Sequence, residues 1–183
     1  MARTDGYLAP RFRVFAPDSY DSGKSPHWPS DRAIHLRDEV ALIEPVLARA
    51  GSPLALIGHS YGAAVALIAA LTDPGRVRAM ALYEPTLFAL LDAETPPPNE
   101  ADGIRDAVIE AGVALDKGNR DAAAERSHRL LDGNRELDPD ARATEAALGH
   151  MGPVTHPDVV NEAIGQFLER THHSVPLRYR ASP

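Results

Sequence analysis

A five-residue turn between two apolar segments constrains the fold of this chain more than any other feature of its sequence. The turn reads Gly58-His59-Ser60-Tyr61-Gly62. The continuous apolar run from Leu54 to Ile57 precedes it, and such a run is typical of a strand covered on both faces. The small, alanine-rich segment from Tyr61 to Thr72 follows it and is typical of a helix. The sequence therefore predicts a buried strand that turns sharply into a helix at Ser60.

The segments on either side of this unit continue the alternation of strand and helix. The run from Phe12 to Ala16 predicts a strand that stops at Pro17-Asp18, and the run from Val77 to Leu82 predicts another that stops at Glu84-Pro85. A helix is expected from about Asp31 to Ala50, with Pro45 bending it. Its apolar stripe consists of Leu36, Val40, Ile43 and Leu47. This order of elements predicts a parallel sheet flanked by helices.

The character of the chain changes after Pro85. Three consecutive prolines, at 96–98, form a stiff break. Beyond them an apolar stripe from Ile104 to Leu115 predicts a helix, and a more polar helix is expected from about Asp121 to Leu131. Pro157 suits the first turn of a last helix, since proline lacks an N–H that this turn would leave unbonded. Its expected core face is Val160, Ile164 and Phe167.

Composition excludes several classes of function. The formal net charge of −7 argues against nucleic acid and against anionic membranes as partners. The chain has no cysteine, so a cysteine nucleophile and a thiolate zinc site are excluded. No two of the eight histidines show ligand spacing with a carboxylate, so no metal is expected. No apolar run approaches the roughly 20 residues that span a bilayer, and none resembles a signal peptide, so we expect a cytoplasmic protein.

Three groups of residues resemble the α/β-hydrolase superfamily. They are Gly58-His59-Ser60-Tyr61-Gly62 with Leu82-Tyr83-Glu84-Pro85, then Arg13-Val14-Phe15-Ala16-Pro17-Asp18 with Gly23-Lys24-Ser25, and Leu148-Gly149-His150-Met151-Gly152-Pro153. The resemblance covers about residues 12–115 and 148–170. It implies an incomplete α/β-hydrolase fold, with a short, mostly parallel sheet flanked by helices and a remnant of a helical cap. In this family the G-x-S-x-G turn is the nucleophile elbow, which holds the serine in a strained conformation.

The resemblance also implies a division of the chain. Residues 1–92 would form the core region with the elbow, and residues 93–147 a helical cap remnant or irregular segment. Residues 148–170 would supply the histidine loop and the last core helix, and residues 171–183 a tail.

The same resemblance assigns catalytic roles. Ser60 would be the nucleophile and His150, on the loop before the last helix, its base. The backbone N–H of Tyr61 would stabilise the oxyanion. Glu84 would be the acid that orients the imidazole, as in relatives that carry this acid after the sixth strand. A structural role for Glu84, holding its loop through backbone hydrogen bonds, is an equal alternative. Other candidate acids are Asp132, Asp138 and Asp140, which lie between the elbow and the histidine loop.

Two parts of the family fold are not evident in the sequence. The third strand, whose following loop normally gives the second oxyanion donor, has no counterpart, and residues 127–148 are too short and polar for the cap and the last two strands. We therefore expect a gene fragment, an internal deletion or a frameshifted segment, with a homodimer that completes the sheet as the alternative. The expected function is serine-dependent hydrolysis of small ester or related acyl substrates without a cofactor. The alternative is a truncated, catalytically impaired homologue with a binding role or none.

Overall fold

A computed structural model of the chain describes residues 6–87, 90, 93–99, 101–132 and 157–172. Seven regular elements lie in these ranges. In chain order they are α1 (Leu36–Ala50), β1 (Leu54–His59), α2 (Tyr61–Thr72), β2 (Val77–Tyr83), α3 (Asp102–Asp116), α4 (Arg120–Asp132) and α5 (Pro157–His172). The chain divides into two compact units, one of residues 1–85 with 157–183 and the other of residues 86–156. The division into four segments expected from the sequence stays a prediction.

The first unit is built around two parallel strands. β1 and β2 are neighbours, with Leu56 opposite Met80 and His59 opposite Tyr83. Helix α2 connects them, so the unit has the strand–helix–strand order that the sequence predicts. β1 is less covered than expected, because Ala55 is exposed and only Gly58 is fully buried. Within the described residues no other strand pairs with β1, which leaves the backbone on its second edge without a ladder.

Small side chains allow α2 to lie very close to the sheet. Its buried residues are Ala63, Ala64, Val65, Ala66, Ala69 and Ala70. A Cβ built on Gly58 would lie 2.5 Å from the Cα of Ala63, which is closer than two carbon atoms can approach. A Cβ built on Gly62 meets no atom within 4 Å. Packing therefore requires a glycine at position 58 but not at position 62.

Helix α1 packs against α2. Val40 of α1 packs with Val65 and Ala69 in the core of this unit. The helix begins at Leu36 rather than near Asp31, because the His35 N–H donates to Asp38 Oδ2 at 2.8 Å and caps the first turn. The Arg32 guanidinium also binds Asp38, and it holds the pKa of that carboxyl well below its usual range. Local polar contacts thus shorten the helix that the apolar stripe predicted.

The strand predicted from Phe12 to Ala16 is wrong for the described structure. Residues 13–19 have no regular secondary structure, although residues 6–8 are helical. A strand is defined by its hydrogen-bonded neighbour, and the described residues give this segment none. Arg13 instead donates from its guanidinium to the carbonyl oxygens of Arg49, at 2.8 Å, and Ala50, at 3.1 Å. The segment is therefore attached to the carboxyl end of α1 by a side chain and not by a ladder.

Helix α5 completes the first unit and contacts β2. Val160 is buried as predicted, Ile164 and Phe167 are half-buried, and Leu168 is buried as well. The second unit consists mainly of α3 and α4, which pack on each other through the buried Ala114 and Ala123. Both helices agree with the sequence, which predicts α3 from its apolar stripe and α4 as a more polar helix. Their assignment to a cap stays a prediction.

Because Gly58 lies so close to α2, adding one methyl group at this position should destabilise the fold. We expect Gly58→Ala to lower the free energy of unfolding by about 3 kcal/mol, because the clash is with backbone that cannot move alone. Gly62→Ala is the matched control and should stay within about 1 kcal/mol of wild type, since its Cβ would enter open space at the start of a helix. Urea denaturation followed by circular dichroism measures both. Equal stability of the two variants would contradict the packing described for Gly58.

Candidate active site

Ser60 occupies the single residue between β1 and α2. Its backbone has φ 54° and ψ −123°, a conformation outside the regions that residues with a Cβ ordinarily adopt. Two hydrogen bonds hold it there. The Ser60 N–H donates to the Tyr83 carbonyl oxygen at 2.9 Å, and the Ser60 carbonyl oxygen accepts from the Ala63 N–H at 3.0 Å. The turn is therefore fixed by β2 on one side and by the first turn of α2 on the other.

Glu84 lies beside Ser60 at the same edge of the sheet. His59 and Tyr83 are register partners, so the residues that follow them, Ser60 and Glu84, leave the carboxyl ends of adjacent parallel strands together. Glu84 also has a positive φ, of 44°. In open α/β sheets ligands bind in the crevice outside the carboxyl ends of the strands. Two strained residues at this edge mark it as the candidate site, since such strain clusters at functional positions.

His59 belongs to the packing of this edge. Its ring meets the Tyr83 ring edge-on, with the centroids 5.6 Å apart and the planes at 67°. The side chain is half-buried. This contact places the His59 ring in the packing between the ends of β1 and β2.

Tyr61 begins α2 and carries the expected oxyanion donor. The N–H groups of a helix's first turn have no partner within the helix and point towards its N-terminus, where the helix dipole favours negative charge. The Tyr61 hydroxyl donates to Glu39 Oε1 at 3.3 Å. Burial, together with the negative charge of Glu39, raises the pKa of Tyr61 to about 12. The hydroxyl therefore keeps its proton, and its hydrogen bond to Glu39, across the neutral range.

Glu39 is the residue at this site that sequence reasoning missed. It lies in the first turn of α1, and its residue is only 2% exposed. Its second carboxylate oxygen accepts from the backbone N–H of Tyr20 at 3.2 Å. Acidic residues are common in the first turn of a helix, so the pair Asp38 and Glu39 looked like an ordinary solvated start. The available signal was its spacing, because Glu39 lies three residues after Leu36 and four before Ile43 and therefore shares the face of the apolar stripe.

Several predicted site residues cannot be placed. His150 lies outside the described residues, as do Gly149, Gly152, Asp138 and Asp140. Asp132 is the last residue of α4, in the second unit. The structure therefore brings together Ser60, Tyr61 and Glu84 but leaves the base and the alternative acids as predictions. Among the described residues, no group of three or more histidine, aspartate or glutamate side chains could hold a metal ion.

A small apolar cavity in the described part of this unit lies at the far end of the strands from Ser60. Its lining includes Leu54 and Val77, where β1 and β2 begin, and Leu47 of α1. It is small and belongs to the packing between α1, α2 and the sheet. The candidate site is thus identified by backbone geometry and residue chemistry.

Comparison with protein families gives a match to the alpha/beta hydrolase fold over residues 4–162, more than half of the 183-residue chain. The chain belongs to the α/β-hydrolase family. The match spans the turn at Ser60 and the loop that carries His150. No curated protein and no solved structure matches the chain. The two-stranded parallel sheet with its helices agrees with an incomplete form of this fold, and family membership supports a hydrolase-like function.

None of the helices in the described ranges is long and apolar enough to cross a bilayer.

The backbone conformation of Ser60 predicts an unusual response to glycine. We expect Ser60→Gly to be more stable than Ser60→Ala by about 1 kcal/mol, because glycine adopts φ 54°, ψ −123° without a Cβ clash. Both variants lack the hydroxyl, so the difference between their free energies of unfolding reports on the backbone conformation alone. Thermal and urea denaturation would measure it. A glycine variant less stable than the alanine variant, as at an ordinary position, would show that Ser60 is unstrained.

Proposed function

We propose that this α/β-hydrolase family member is a serine-dependent hydrolase of small ester or related acyl substrates. In this proposal Ser60 is the nucleophile, His150 the general base, and Glu84 the acid that orients the imidazole. The backbone N–H of Tyr61 is one oxyanion donor. The observation that carries the proposal is the strained conformation of Ser60, hydrogen-bonded to Tyr83 at the carboxyl edge of two parallel strands. Such a turn leaves the hydroxyl clear of the sheet and within reach of a bound substrate.

The first half of the reaction forms an acyl-enzyme. The Ser60 oxygen attacks the carbonyl carbon of the substrate, and its proton passes to the imidazole of His150. The carbonyl oxygen takes up the electron pair of the broken π bond, and the Tyr61 N–H donates to this oxyanion. The oxyanion then collapses, the bond to the leaving alcohol breaks, and His150 returns the proton to that alcohol.

The second half releases the acid. A water molecule attacks the acyl carbon, giving its proton to His150 and forming a second oxyanion that the Tyr61 N–H again stabilises. Collapse of this intermediate breaks the bond to Ser60, whose oxygen recovers a proton from the imidazole. The products are one carboxylic acid and one alcohol per water consumed. The triad chemistry requires no cofactor.

The position of Glu84 supports it as the third member. It follows β2, the register neighbour of the strand that ends before Ser60, so both residues are held by the same two strands. A carboxylate in this role binds one nitrogen of the imidazole and stabilises the imidazolium that forms. Its φ of 44° lies in the left-handed region, which residues other than glycine adopt infrequently. A cytoplasmic location and a homodimer stay predictions.

Covalent labelling tests the proposed nucleophile. We expect a fluorophosphonate probe to phosphonylate the wild-type protein and to leave Ser60→Ala at background, because the probe reacts with an activated serine hydroxyl. The adduct should map to the peptide that contains Ser60. Ser52→Ala and Ser22→Ala are the controls, since they remove serines from other loops of the same unit and should label like wild type.

Absence of labelling in folded, monodisperse wild-type protein would contradict the proposal and would favour an impaired homologue. Labelling that persists in Ser60→Ala would assign the nucleophile to another residue.

Replacement of Glu84, the proposed acid, should lower turnover while the fold is retained. Glu84→Gln should lower kcat for p-nitrophenyl acetate by about a hundredfold or more, because a neutral amide cannot stabilise the imidazolium. Steady-state kinetics measures the loss, and denaturation checks that the fold is retained. The matched comparison is Asp132→Asn, Asp138→Asn and Asp140→Asn, each of which should keep the wild-type rate. A loss confined to one of these aspartates would move the role of acid away from Glu84.

A further inference from the structure

We infer that Glu39 is a positioning residue for the oxyanion donor. Its carboxylate binds the hydroxyl of Tyr61 and also the backbone N–H of Tyr20, in a neighbouring loop. The inference rests on the proposed function. Nothing in the family match assigns a role to this carboxylate, and it touches neither Ser60 nor the expected path of the substrate carbonyl in the contacts described.

The contacts of Glu39 join three parts of the first unit. Its own backbone belongs to α1. One carboxylate oxygen accepts from the Tyr61 hydroxyl at 3.3 Å, and the other accepts from the Tyr20 N–H at 3.2 Å. Both donors are neutral groups. A single buried side chain therefore links a core helix, a surface loop and the residue that follows the nucleophile.

Burial of the Glu39 carboxylate costs free energy, which argues against its two hydrogen bonds being incidental. A carboxylate removed from water loses solvation that two neutral hydrogen bonds restore only in part. The neighbouring Asp38 shows the ordinary alternative, since it lies nearer the surface and takes its partners from Arg32. A buried polar link of this kind fixes one arrangement of the groups it joins, at some cost in stability. What it fixes here is the orientation of Tyr61.

The orientation of Tyr61 matters because this residue carries two groups with different roles. Its side-chain hydroxyl is bound by Glu39, and its backbone N–H is the proposed oxyanion donor. A ring fixed at its far end restricts the side-chain and backbone torsions of the first residue of α2. Oxyanion donors act through geometry set before the reaction, so a small displacement of the N–H weakens catalysis without preventing substrate binding.

The second contact extends the same link to an aromatic pair. The Tyr20 ring meets the Trp28 ring edge-on, with centroids 5.1 Å apart. Since the Tyr20 N–H is bound by Glu39, this pair is anchored to the start of α2 through one carboxylate. Glu39 thus also fixes where the loop that carries Tyr20 meets the edge of the site.

A double-mutant cycle tests the inference. The variants are Glu39→Leu, Tyr61→Phe and the double variant, and the readouts are kcat and KM for p-nitrophenyl acetate with the rate of fluorophosphonate labelling. Leucine has no acceptor, whereas glutamine could keep both contacts by accepting from the Tyr20 N–H and donating to the Tyr61 oxygen. Glu44→Leu is the matched control, because it makes the same chemical change on the same helix at a carboxylate exposed to solvent and bound to Arg76 at 2.8 Å. Tyr61→Phe removes only the hydroxyl, so it tests the link even if Glu39→Leu fails to fold.

We expect each single variant to lower kcat and the labelling rate by about tenfold or more with little change in KM, as displacement of a catalytic donor does. The double variant should be no worse than the single ones, because both changes break the same link. Glu44→Leu should behave like wild type. Activity of Glu39→Leu and Tyr61→Phe equal to that of Glu44→Leu, or losses that multiply in the double variant, would overturn the inference while leaving the proposed function intact. A wild-type protein that is neither labelled nor active would instead overturn both.

Discussion

The close approach of helix α2 to strand β1 is the constraint on which the rest of the site depends. With the Gly58 backbone against Ala63, the chain has a single residue in which to change from strand to helix, and Ser60 takes a strained conformation to do so. The bond from its N–H to Tyr83 then fixes the turn to β2. Strain of this kind persists only where surrounding contacts over-determine it, and here they come from both neighbouring elements.

Local patterns predicted most of the elements, and non-local contacts account for the failures. The bounds of α2 match the alanine-rich segment, and β1 and β2 contain the two apolar runs, because periodicity and composition reflect burial directly. The expected strand at Phe12 depends on a neighbour elsewhere in the chain, which no local pattern supplies. Likewise, Ser60 and Glu84 could be nominated from the turn and the family resemblance, whereas Glu39 became visible only when Tyr20 and Tyr61 were brought around it.

Function and stability make opposing demands at this edge of the sheet. Positive φ angles at Ser60 and Glu84 and a buried carboxylate at Glu39 each reduce the stability of the folded chain. The compact contact of α1 with α2, through Val40, Val65 and Ala69, opposes these costs. Two of these features, at Ser60 and Glu84, lie at the ends of adjacent strands, which agrees with a candidate site at this edge.

The most direct measurement is a crystal structure of the protein after reaction with a fluorophosphonate. We expect an adduct on the oxygen of Ser60, with a phosphoryl oxygen about 2.7 to 3.1 Å from the backbone nitrogen of Tyr61. The adduct stands in for the tetrahedral intermediate, so this distance reports on the oxyanion donor itself. A Ser60 oxygen turned into the sheet, or an adduct whose phosphoryl oxygen faces away from the start of α2, would contradict this expectation.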